Sequence, residues 1–455
     1  MPLYSMSSNP SPGSPPEPTT GLFVKNPPVP GSLPEALRTN GYATLMSGKW
    51  HLAGKGSQTI YPNDRGFDHF YGILGGASSF YAPHDLHRDR KNIEDEFRDD
   101  PNYYFTRAIA ENALAFLRQV PEDKPLFLYL PFTAAHWPLH APEADIEKYK
   151  GTFSQGWDKL RKQRLERMKK LGVVPTDIIL SPRHPKVPAW KDEKSKAWQE
   201  RRMEVYAAQI TIMDEAIGSV IDALRKVGRF ENTLSLFTID NGGCHVEYGP
   251  TRKGYYLPKK TRNGLTMKPG NLPDLMPGPE ITYQSYGHGW ANLSNTPYRL
   301  FKQYDHEGGI HTPMIAHWPK GIKAKGKTTQ TLSHLVDLMP TILDAVQVKP
   351  AATSTGESRL AWDGRSLLPS LQGKKQPDPT VLFFHHAKGR ALRSGNWKLV
   401  LNRDNGKKAH WELYDLATDP NELHDLAKKK PKQTEALAKQ WEAHEKALLA
   451  RAKAK

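Results

Sequence analysis

Three short apolar runs constrain the fold of this chain more than any other feature. They are "PLFLYLPF" (125–132), "TLSLFTI" (233–239) and "PMIAHW" (313–318). Their length and composition are typical of buried strands. The first run follows a helical pattern over 104–119, and the second follows a clearer one over 198–227. Strands that alternate with helices predict an α/β sheet with helices on both faces.

Apolar residues recur at spacings of three and four through the clearest helical pattern, which predicts an amphipathic helix. They are Met203, Tyr206, Ile210, Met213, Ile217, Val220 and Leu224.

The same kind of signal places an earlier and a later element. "GSLPEALRTNG" predicts a helix that Ser32 caps, with Pro34 in its first turn and Gly41 after its end. A short strand is predicted over Tyr42 to Met46, and a further helix over 335–346.

From about residue 378 the pattern changes to short strand-like runs joined by turns. "TVLFFHH", "RALRSGNWKLVLN" and "HWELYDL" precede a last helix that carries Leu437, Trp441, His444 and Leu448 on one face. This predicts a small antiparallel sheet with one covering helix. The predicted organisation is therefore a disordered Pro/Ser-rich segment (1–31), a large α/β domain (32–375) and a small C-terminal domain (376–455).

Composition narrows the possible partners. The chain has 455 residues, of which 38% are apolar and 10% aromatic, so a sizeable core is expected. The formal net charge of +16 favours acidic partners such as sulfated or phosphorylated molecules. Basic stretches at 159–170 and 428–455 are interpreted as solvated helix faces. No DNA or RNA recognition motif is present, so no nucleic-acid partner is expected.

Several classes of protein are excluded. The chain has one cysteine, Cys244, which excludes a disulfide framework and a cysteine-built zinc site. No apolar run reaches the length of about 18 residues that a membrane-spanning helix needs. The first residues lack the charged and apolar regions of a signal peptide.

Polar residues at the ends of apolar runs are candidates for chemistry. In "GKWHLAG", alternation along an extended segment directs Lys49 and His51 to one side and Trp50 to the other. Asp240 and Asn241 follow the strand predicted at 233–239 and offer hard oxygen ligands for calcium or magnesium. Ordinary turn chemistry explains Asp-Asn-Gly equally well at this point.

Two further residues have similarly open interpretations. His136 follows the strand predicted at 125–132, and Lys302 precedes a Glu-Gly-Gly turn. Taken alone, His136 is also consistent with an ordinary loop histidine, and Lys302 with an ordinary surface lysine.

Taken together and in order, these motifs resemble the sulfatase family. The resemblance rests on "GKWHLAG", "FTAAHWPL", "FTIDNGG", "KQYDHEGGIHTPMIAHWPKGI" and "ALRSGNWKLV" with "WELYDLATDPNELHDLA". "NDRGFDHFYGILGGASSFY" and "PGPEITYQSYGHGWANLSNTPYRLFK" resemble its arylsulfatase branch. The similarity extends from about residue 32 to the C-terminus.

The resemblance implies an alkaline-phosphatase-like large mixed sheet flanked by helices, with a small C-terminal antiparallel sheet plus helix. It also implies hydrolysis of sulfuric esters of aryl or carbohydrate substrates by a formylglycine, made from Cys or Ser, beside a calcium ion (Ca2+). Residue by residue, it assigns the sulfate contacts to Lys49, His51 and Lys302, and the leaving-group side to His136. It assigns calcium ligation to Asp240 and Asn241, and less directly the substrate pocket to Ser79 and His386.

One part of the family pattern is missing. The formylglycine motif is Cys/Ser-x-Pro-x-Arg, and no such sequence occurs in the chain. The nearest similarity is "SNPSPGSPPEPTTG", in which Pro12 stands at the arginine position. The family's first strand, with a pair of aspartates that ligate calcium, has no counterpart either.

Two explanations are open: a truncated or misread gene product, which we favour because the later motifs are intact, or a degenerate relative. We expect the chain as printed to be inactive and its calcium site to be incomplete. The alternatives are a non-catalytic binder of sulfated or acidic glycans, and a phosphatase or phosphodiesterase of the same superfamily. The family is usually exported, but the sequence fixes neither the compartment nor the oligomeric state.

Overall fold

The computed structural model describes residues 31–54, 59–98, 100–251, 257–324, 326–348, 363–402 and 409–453. Residues 1–30 of the predicted Pro/Ser-rich segment lie outside the described residues. The predicted domain boundary near 375 stays a prediction.

The chain forms a mixed α/β structure. The helices are α1 (Leu33–Arg38), α2 (Phe105–Leu117), α3 (Glu143–Glu147), α4 (Gly156–Lys170), α5 (Lys196–Lys226), α6 (Gly287–Ser294), α7 (Glu307–Ile310), α8 (Leu338–Ala345), α9 (Leu368–Leu371) and α10 (Pro431–Lys453). The strands are β1 (Ala43–Lys49), β2 (His69–Ile73), β3 (Leu86–Arg88), β4 (Lys91–Asn92), β5 (Leu126–Tyr129), β6 (Ser235–Thr238), β7 (Lys268–Pro269), β8 (Thr282–Tyr283), β9 (Met314–His317), β10 (Leu382–His386), β11 (Gly389–Ser394), β12 (Trp397–Asn402) and β13 (His410–Asp415).

A five-stranded sheet in the order β4-β3-β2-β1-β5 contains the first part of the site. Strand β1 pairs in parallel with β2 and with β5, whereas β3 is antiparallel to β2. Strand β1 extends past the strand predicted over Tyr42 to Met46, because its pairing with β2 continues to Lys49. Polar groups at the carboxyl ends of parallel strands share one edge of such a sheet.

Helix α1 confirms the helix predicted over "GSLPEALRTNG". The Ser32 hydroxyl accepts from the Glu35 N–H, and the Glu35 carboxylate accepts from the Ser32 N–H. This is a capping box, which satisfies N–H groups that a helix start leaves without partners. Gly41 adopts a φ of +83° just beyond the helix, as its position after the helix predicts.

Helix α5 is apolar on two faces, of which the sequence pattern identified only one. Val205, Ala208 and Ile212 are buried against the core. Part of the predicted stripe, including Ile210 at 40% exposure, instead lines a large cavity. The predicted amphipathic helix is confirmed.

The second and third apolar runs form a separate antiparallel pair, β6 with β9. They were predicted to be buried strands, and this is wrong for both. Phe237 in β6 is 40% exposed and Ile315 in β9 is 62% exposed. Strand β5 is also only half buried, with Tyr129 at 45% exposure. The reason is that β5 and β6 both end their sheets, and the cavity lies against their side chains.

The C-terminal region forms the predicted antiparallel sheet, in the order β10-β11-β12-β13. Helix α10 covers it, with Leu437 and Trp441 buried against Leu392, Leu399 and Leu413. Both predicted basic stretches are largely helical, since 159–170 belongs to α4 and α10 occupies most of 428–455. Within the described ranges, no helix has the length and apolar character needed to cross a membrane.

Candidate functional site

Lys49 is the last residue of β1 and lies at the carboxyl edge of the parallel strands. Its N–H donates to the Pro131 carbonyl at 2.8 Å, which fixes the strand end against the chain that follows β5. Trp50 points into a small core, where its indole N–H donates to Ile60 O at 2.8 Å. His51 follows in the left-handed backbone region, at a φ of +56°. Its ring packs against Gly76, where a Cβ would collide with it, and it feels the charge of Lys49.

Asp240 lies after β6 and brings a carboxylate to the same place. Its charge opposes the lowering of the Lys49 pKa by burial, and it adds to burial in raising the pKa of Tyr129. Asn241 lies beside it on the wall of the same cavity. The structure thus brings the ends of two separate sheets together at one site.

Lys302 reaches the site from a loop. Its N–H donates to Gly243 O at 3.1 Å, and the Gly242 N–H donates to Gly309 O at 3.0 Å. A Cβ at Gly242 would collide with the carbonyl oxygen of Gly308. The turn after Asp240 and the loop after Lys302 therefore approach too closely for any residue but glycine at position 242.

His136 is oriented by its own neighbour. Its Nδ1 lies 2.9 Å from the carbonyl oxygen of Trp137, and because a carbonyl only accepts, Nδ1 carries the proton. The neutral ring therefore has its lone pair on Nε2. Lys302 and Lys49 both act on this ring electrostatically, so His136 belongs to the same cluster.

Burial and the two ammonium groups set the charge states of the cluster. Burial, and then Lys49 and Lys302, lower the pKa of His51 to about 4. Burial first and Lys302 second also lower the pKa of His136 well below its usual range. The pKa of Lys49 is lowered by burial and by Lys302, against the opposing effect of Asp240. At neutral pH both imidazoles are therefore uncharged, and they share the cluster with Lys49, Lys302 and Asp240.

The cluster opens into a cavity of about 5330 Å³. That volume is several times larger than a typical small-molecule pocket of about 300–1,000 Å³. The side chains that line it include all of the predicted polar cluster together with His386. They are Lys49, His51, His136, Asp240, Asn241, Lys302 and His386.

Ser79 has a different environment from the other predicted residues. It is fully buried, and its hydroxyl accepts from the N–H groups of Tyr81 at 3.2 Å and Ala82 at 3.1 Å. It therefore holds a turn and lies apart from the residues that line the cavity. His386 ends β10, is half buried and reaches the cavity from the C-terminal sheet.

The sequence analysis missed Asn295 as a residue that organises the site. Its side-chain oxygen accepts from the Gly243 N–H at 2.8 Å, and its amide donates to Leu300 O at 2.8 Å. It thereby joins the turn after Asp240 to the loop that carries Lys302. Its presence in "ANLSNTPYRLFK" gave no signal of its own, because asparagine before Thr-Pro is ordinary in a turn.

The donor set does not complete a calcium site. Calcium takes six to eight oxygen ligands, whereas the predicted ligands supply one carboxylate and one amide. Among the residues that the structure describes, no group of three or more His, Cys, Asp or Glu is arranged to hold a metal. No step of the chemistry is therefore assigned to a metal ion.

Sequence comparison identifies the family. A profile of the Sulfatase family matches residues 3–348, and one for the C-terminal part of N-sulphoglucosamine sulphohydrolase matches residues 298–448. An uncharacterised sulfatase of Schizosaccharomyces pombe is 33% identical over 434 residues, covering 91% of this chain and 76% of the relative. The arylsulfatase of Klebsiella aerogenes is 31% identical over 352 residues, covering 74% of this chain and 72% of the relative.

Solved structures show the same fold. A putative sulfatase of Bacteroides fragilis superposes with a TM-score of 0.59 at 20% identity, over 92% of this chain and 77% of that one. A structure in complex with its substrate D-glucosamine-2-N,6-O-disulfate superposes with a TM-score of 0.54 at 20% identity, over 93% and 82%.

The family profile and the relatives, together with the mixed α/β structure and its C-terminal antiparallel sheet, define the class as the alkaline-phosphatase-like superfamily. Within that class the chain belongs to the sulfatase family, whose members are sulfuric ester hydrolases.

Proposed function

We propose that the cluster around Lys49 and Lys302 is a binding pocket for the sulfate group of an aryl or carbohydrate sulfate monoester. One observation carries the proposal: both ammonium groups act on the same two histidines, His51 and His136, so all four groups share one pocket. The pocket has an excess of positive charge that water solvates poorly. A sulfate monoester offers the negative charge and the acceptor oxygens that would compensate for it.

Each residue has a role that its charge state allows. Lys49 and Lys302 hold the sulfuryl oxygens and stabilise the charge that develops as the S–O bond breaks. His136, with its lone pair on Nε2, accepts a proton or a hydrogen bond on the leaving-group side. His51 is neutral without ligand, and a bound anion would raise its pKa and allow it to share a proton with the sulfate.

The substrate beyond the sulfate is proposed only as a class. The names of relatives include an arylsulfatase and, in Bacteroides thetaiotaomicron, an N-acetylglucosamine-6-O-sulfatase that is 25% identical over 87% of this chain and 68% of its own length. Sulfate esters of aromatic and of carbohydrate alcohols are therefore both candidate substrates. His386 approaches from the C-terminal sheet and would contact the part of the substrate outside the sulfate.

We further propose that the chain as printed binds sulfate esters without hydrolysing them. The printed sequence holds no Cys/Ser-x-Pro-x-Arg motif, and Asp240 with Asn241 offers calcium too few ligands.

The absent motif also favours a second candidate, a non-catalytic binder of sulfated or acidic glycans. A phosphoryl-ester hydrolase is a third, since a phosphonate monoester hydrolase of Agrobacterium radiobacter shares the fold with a TM-score of 0.50 at 16% identity. Turnover of a phosphate ester, with no turnover of an aryl sulfate, would favour that third candidate.

Calorimetric titration with inorganic sulfate and with 4-nitrophenyl sulfate tests the proposal. We expect both to bind and 4-nitrophenol release to be absent. Lys49→Met should abolish binding, whereas Lys320→Met, which removes an exposed lysine on the cavity rim, should not. Equal binding by Lys49→Met and the unmodified chain would contradict the proposal.

A further inference from the structure

The loop that carries Lys302, residues 299–311, has a backbone that must be held in place. Leu300 and Gln303 flank Lys302 and adopt left-handed φ values of +66° and +77°. Non-glycine residues rarely adopt this region, and they remain there only when the surrounding structure holds them. We call residues 299–311 the Lys302 loop.

A buried ion triad holds one end of this loop. The Lys398 ammonium, on β12, lies 2.6 Å from Glu307 Oε1 and 2.8 Å from Glu422 Oε1. Glu422 also accepts from the backbone N–H of Glu307 at 2.8 Å. Lys398 and Glu422 are fully buried, and Glu307 is 5% exposed. Burial works to lower the pKa of Lys398, but Glu307 and Glu422 outweigh it and raise that pKa, so the lysine is charged.

A second set of contacts holds the other end of the loop. Arg299 donates to the Tyr414 hydroxyl at 3.1 Å and to the Glu422 carbonyl at 2.7 Å. Tyr414 in turn donates to Glu412 at 2.7 Å, and the same carboxylate lies 3.0 Å from His306 Nε2. Lys302 therefore lies between two anchors, both of which belong to the C-terminal sheet or to the chain just after it.

We infer that the C-terminal sheet positions Lys302 in the sulfate pocket, with Lys398 and Tyr414 as positioning residues. The inference rests on the proposed role of Lys302 in binding sulfate. The sheet acts through the backbone: the loop it anchors is bonded to the turn after Asp240 through the Lys302 N–H and the carbonyl oxygen of Gly309. A shift of the loop would move the Lys302 ammonium and the Asp240 turn together.

Stability alone is a weak explanation for this network. A buried ion pair is costly to desolvate, and well-packed apolar residues often stabilise a fold as well or better. Charged hydrogen bonds do supply direction, because each fixes a donor against one acceptor. The triad fixes the Glu307 side chain and its N–H at once, which a merely apolar contact would not do.

Hydrogen-exchange mass spectrometry on the ligand-free chain is the first test. Tyr414→Phe removes one hydroxyl and keeps the ring, so the fold is expected to survive. Lys398→Met removes the central charge, and Lys439→Met removes an exposed lysine of α10 as a matched control. The loss of one buried hydrogen bond changes the equilibrium constant for local opening by a factor of about ten. We therefore expect the exchange rate across 299–311 and 240–244 to rise at least about tenfold in Tyr414→Phe and in Lys398→Met. Peptides from β10 and β11 in Tyr414→Phe, and all peptides in Lys439→Met, should be unchanged.

Sulfate affinity is the second test. In Lys398→Met and in Tyr414→Phe the dissociation constant for inorganic sulfate should rise at least about tenfold. When Tyr414→Phe is added to Lys302→Met, the dissociation constant for sulfate should change by less than about twofold, because Tyr414 acts through Lys302.

Two results would overturn the inference. One is unchanged exchange across 299–311 in Tyr414→Phe and Lys398→Met. The other is a full additional loss of sulfate affinity when Tyr414→Phe is added to Lys302→Met. If the unmodified chain binds no sulfate, the proposed function fails, and the exchange data still decide whether the sheet holds the loop.

Discussion

Replacing Lys49 by methionine should stabilise the ligand-free chain while it removes sulfate binding. The backbone N–H that pairs with Pro131 is kept, so β1 should keep its register. The side chain that is lost is a buried ammonium whose pKa is lowered by burial and by Lys302. A charge that the folded state disfavours in this way reduces the free energy of unfolding at every pH at which it remains protonated.

The expected rise in the free energy of unfolding follows from the burial of Lys49 and from its repulsion by Lys302. Burial and Lys302 both disfavour the charged Lys49 side chain, and two like charges about 4–15 Å apart repel by about 1–4 kcal/mol at an effective dielectric constant of ~20. Asp240 offsets part of this repulsion, so we expect the free energy of unfolding to rise by about 1–2 kcal/mol. Sulfate at ten times its dissociation constant should stabilise the unmodified chain by about 1.4 kcal/mol. The variant should not respond to sulfate.

Urea unfolding at pH 7, with and without sodium sulfate, measures both effects. Sodium chloride at matched ionic strength controls for screening, and Lys320→Met controls for the loss of one positive charge. A Lys49→Met chain that is less stable by 1 kcal/mol or more and still responds to sulfate would refute the reasoning.

Four other outcomes are expected. The pKa of His51 is about 4 in the folded chain and 6.5 in the unfolded chain, so the unfolded state binds more protons between these pH values. The free energy of unfolding should therefore fall by about 3 kcal/mol as the pH falls from about 6.5 to 4. In urea titrations, His51→Gln should reduce that fall. Lys398→Met should cost about 3–5 kcal/mol in urea unfolding, because it leaves buried carboxylates uncompensated, and no change there would contradict the charged triad. Calcium should bind no tighter than about millimolar in calorimetry, since Asp240 and Asn241 supply few of its ligands; micromolar binding would contradict this. Ile315→Lys should reduce aggregation measured by light scattering, because it places a charge on an exposed apolar strand, and faster aggregation would count against it.

Local patterns were enough to predict much of the fold. The capping box at Ser32, the length of α5 and the four-stranded C-terminal sheet all follow from contacts between residues near in sequence. The position of Lys49 at a strand end did not follow in this way, because the strand was expected to end at Met46 and instead continues through Ser47 and Gly48.

The burial of the β5, β6 and β9 strands could not be predicted in this way. An apolar run shows that a strand prefers a partner, but it does not show that the partner is present in the described structure. The runs that contain Phe237 and Ile315 have compositions typical of buried strands, yet these two side chains are 40% and 62% exposed. An apolar sequence pattern shows that a segment prefers to form a strand, whereas the burial of that strand depends on what packs against it.

The support of Lys302 was also beyond the sequence. Lys398 and Glu307 are 91 residues apart, and Glu307 and Glu422 are 115 apart. Each looks like an ordinary surface charge in its own segment, and charged residues are rarely fully buried unless they are paired. Only the three-dimensional arrangement shows that these charges meet in the interior.

A crystal structure of this chain soaked in sodium sulfate tests the central claim most directly. The account predicts a sulfate ion with its oxygens within hydrogen-bond distance, about 2.7–3.2 Å, of both the Lys49 and Lys302 ammonium nitrogens. A separation of more than about 15 Å between those two nitrogens, too wide for one small-molecule pocket, would contradict the account. So would a sulfate-free pocket at a concentration that saturates the solution titration.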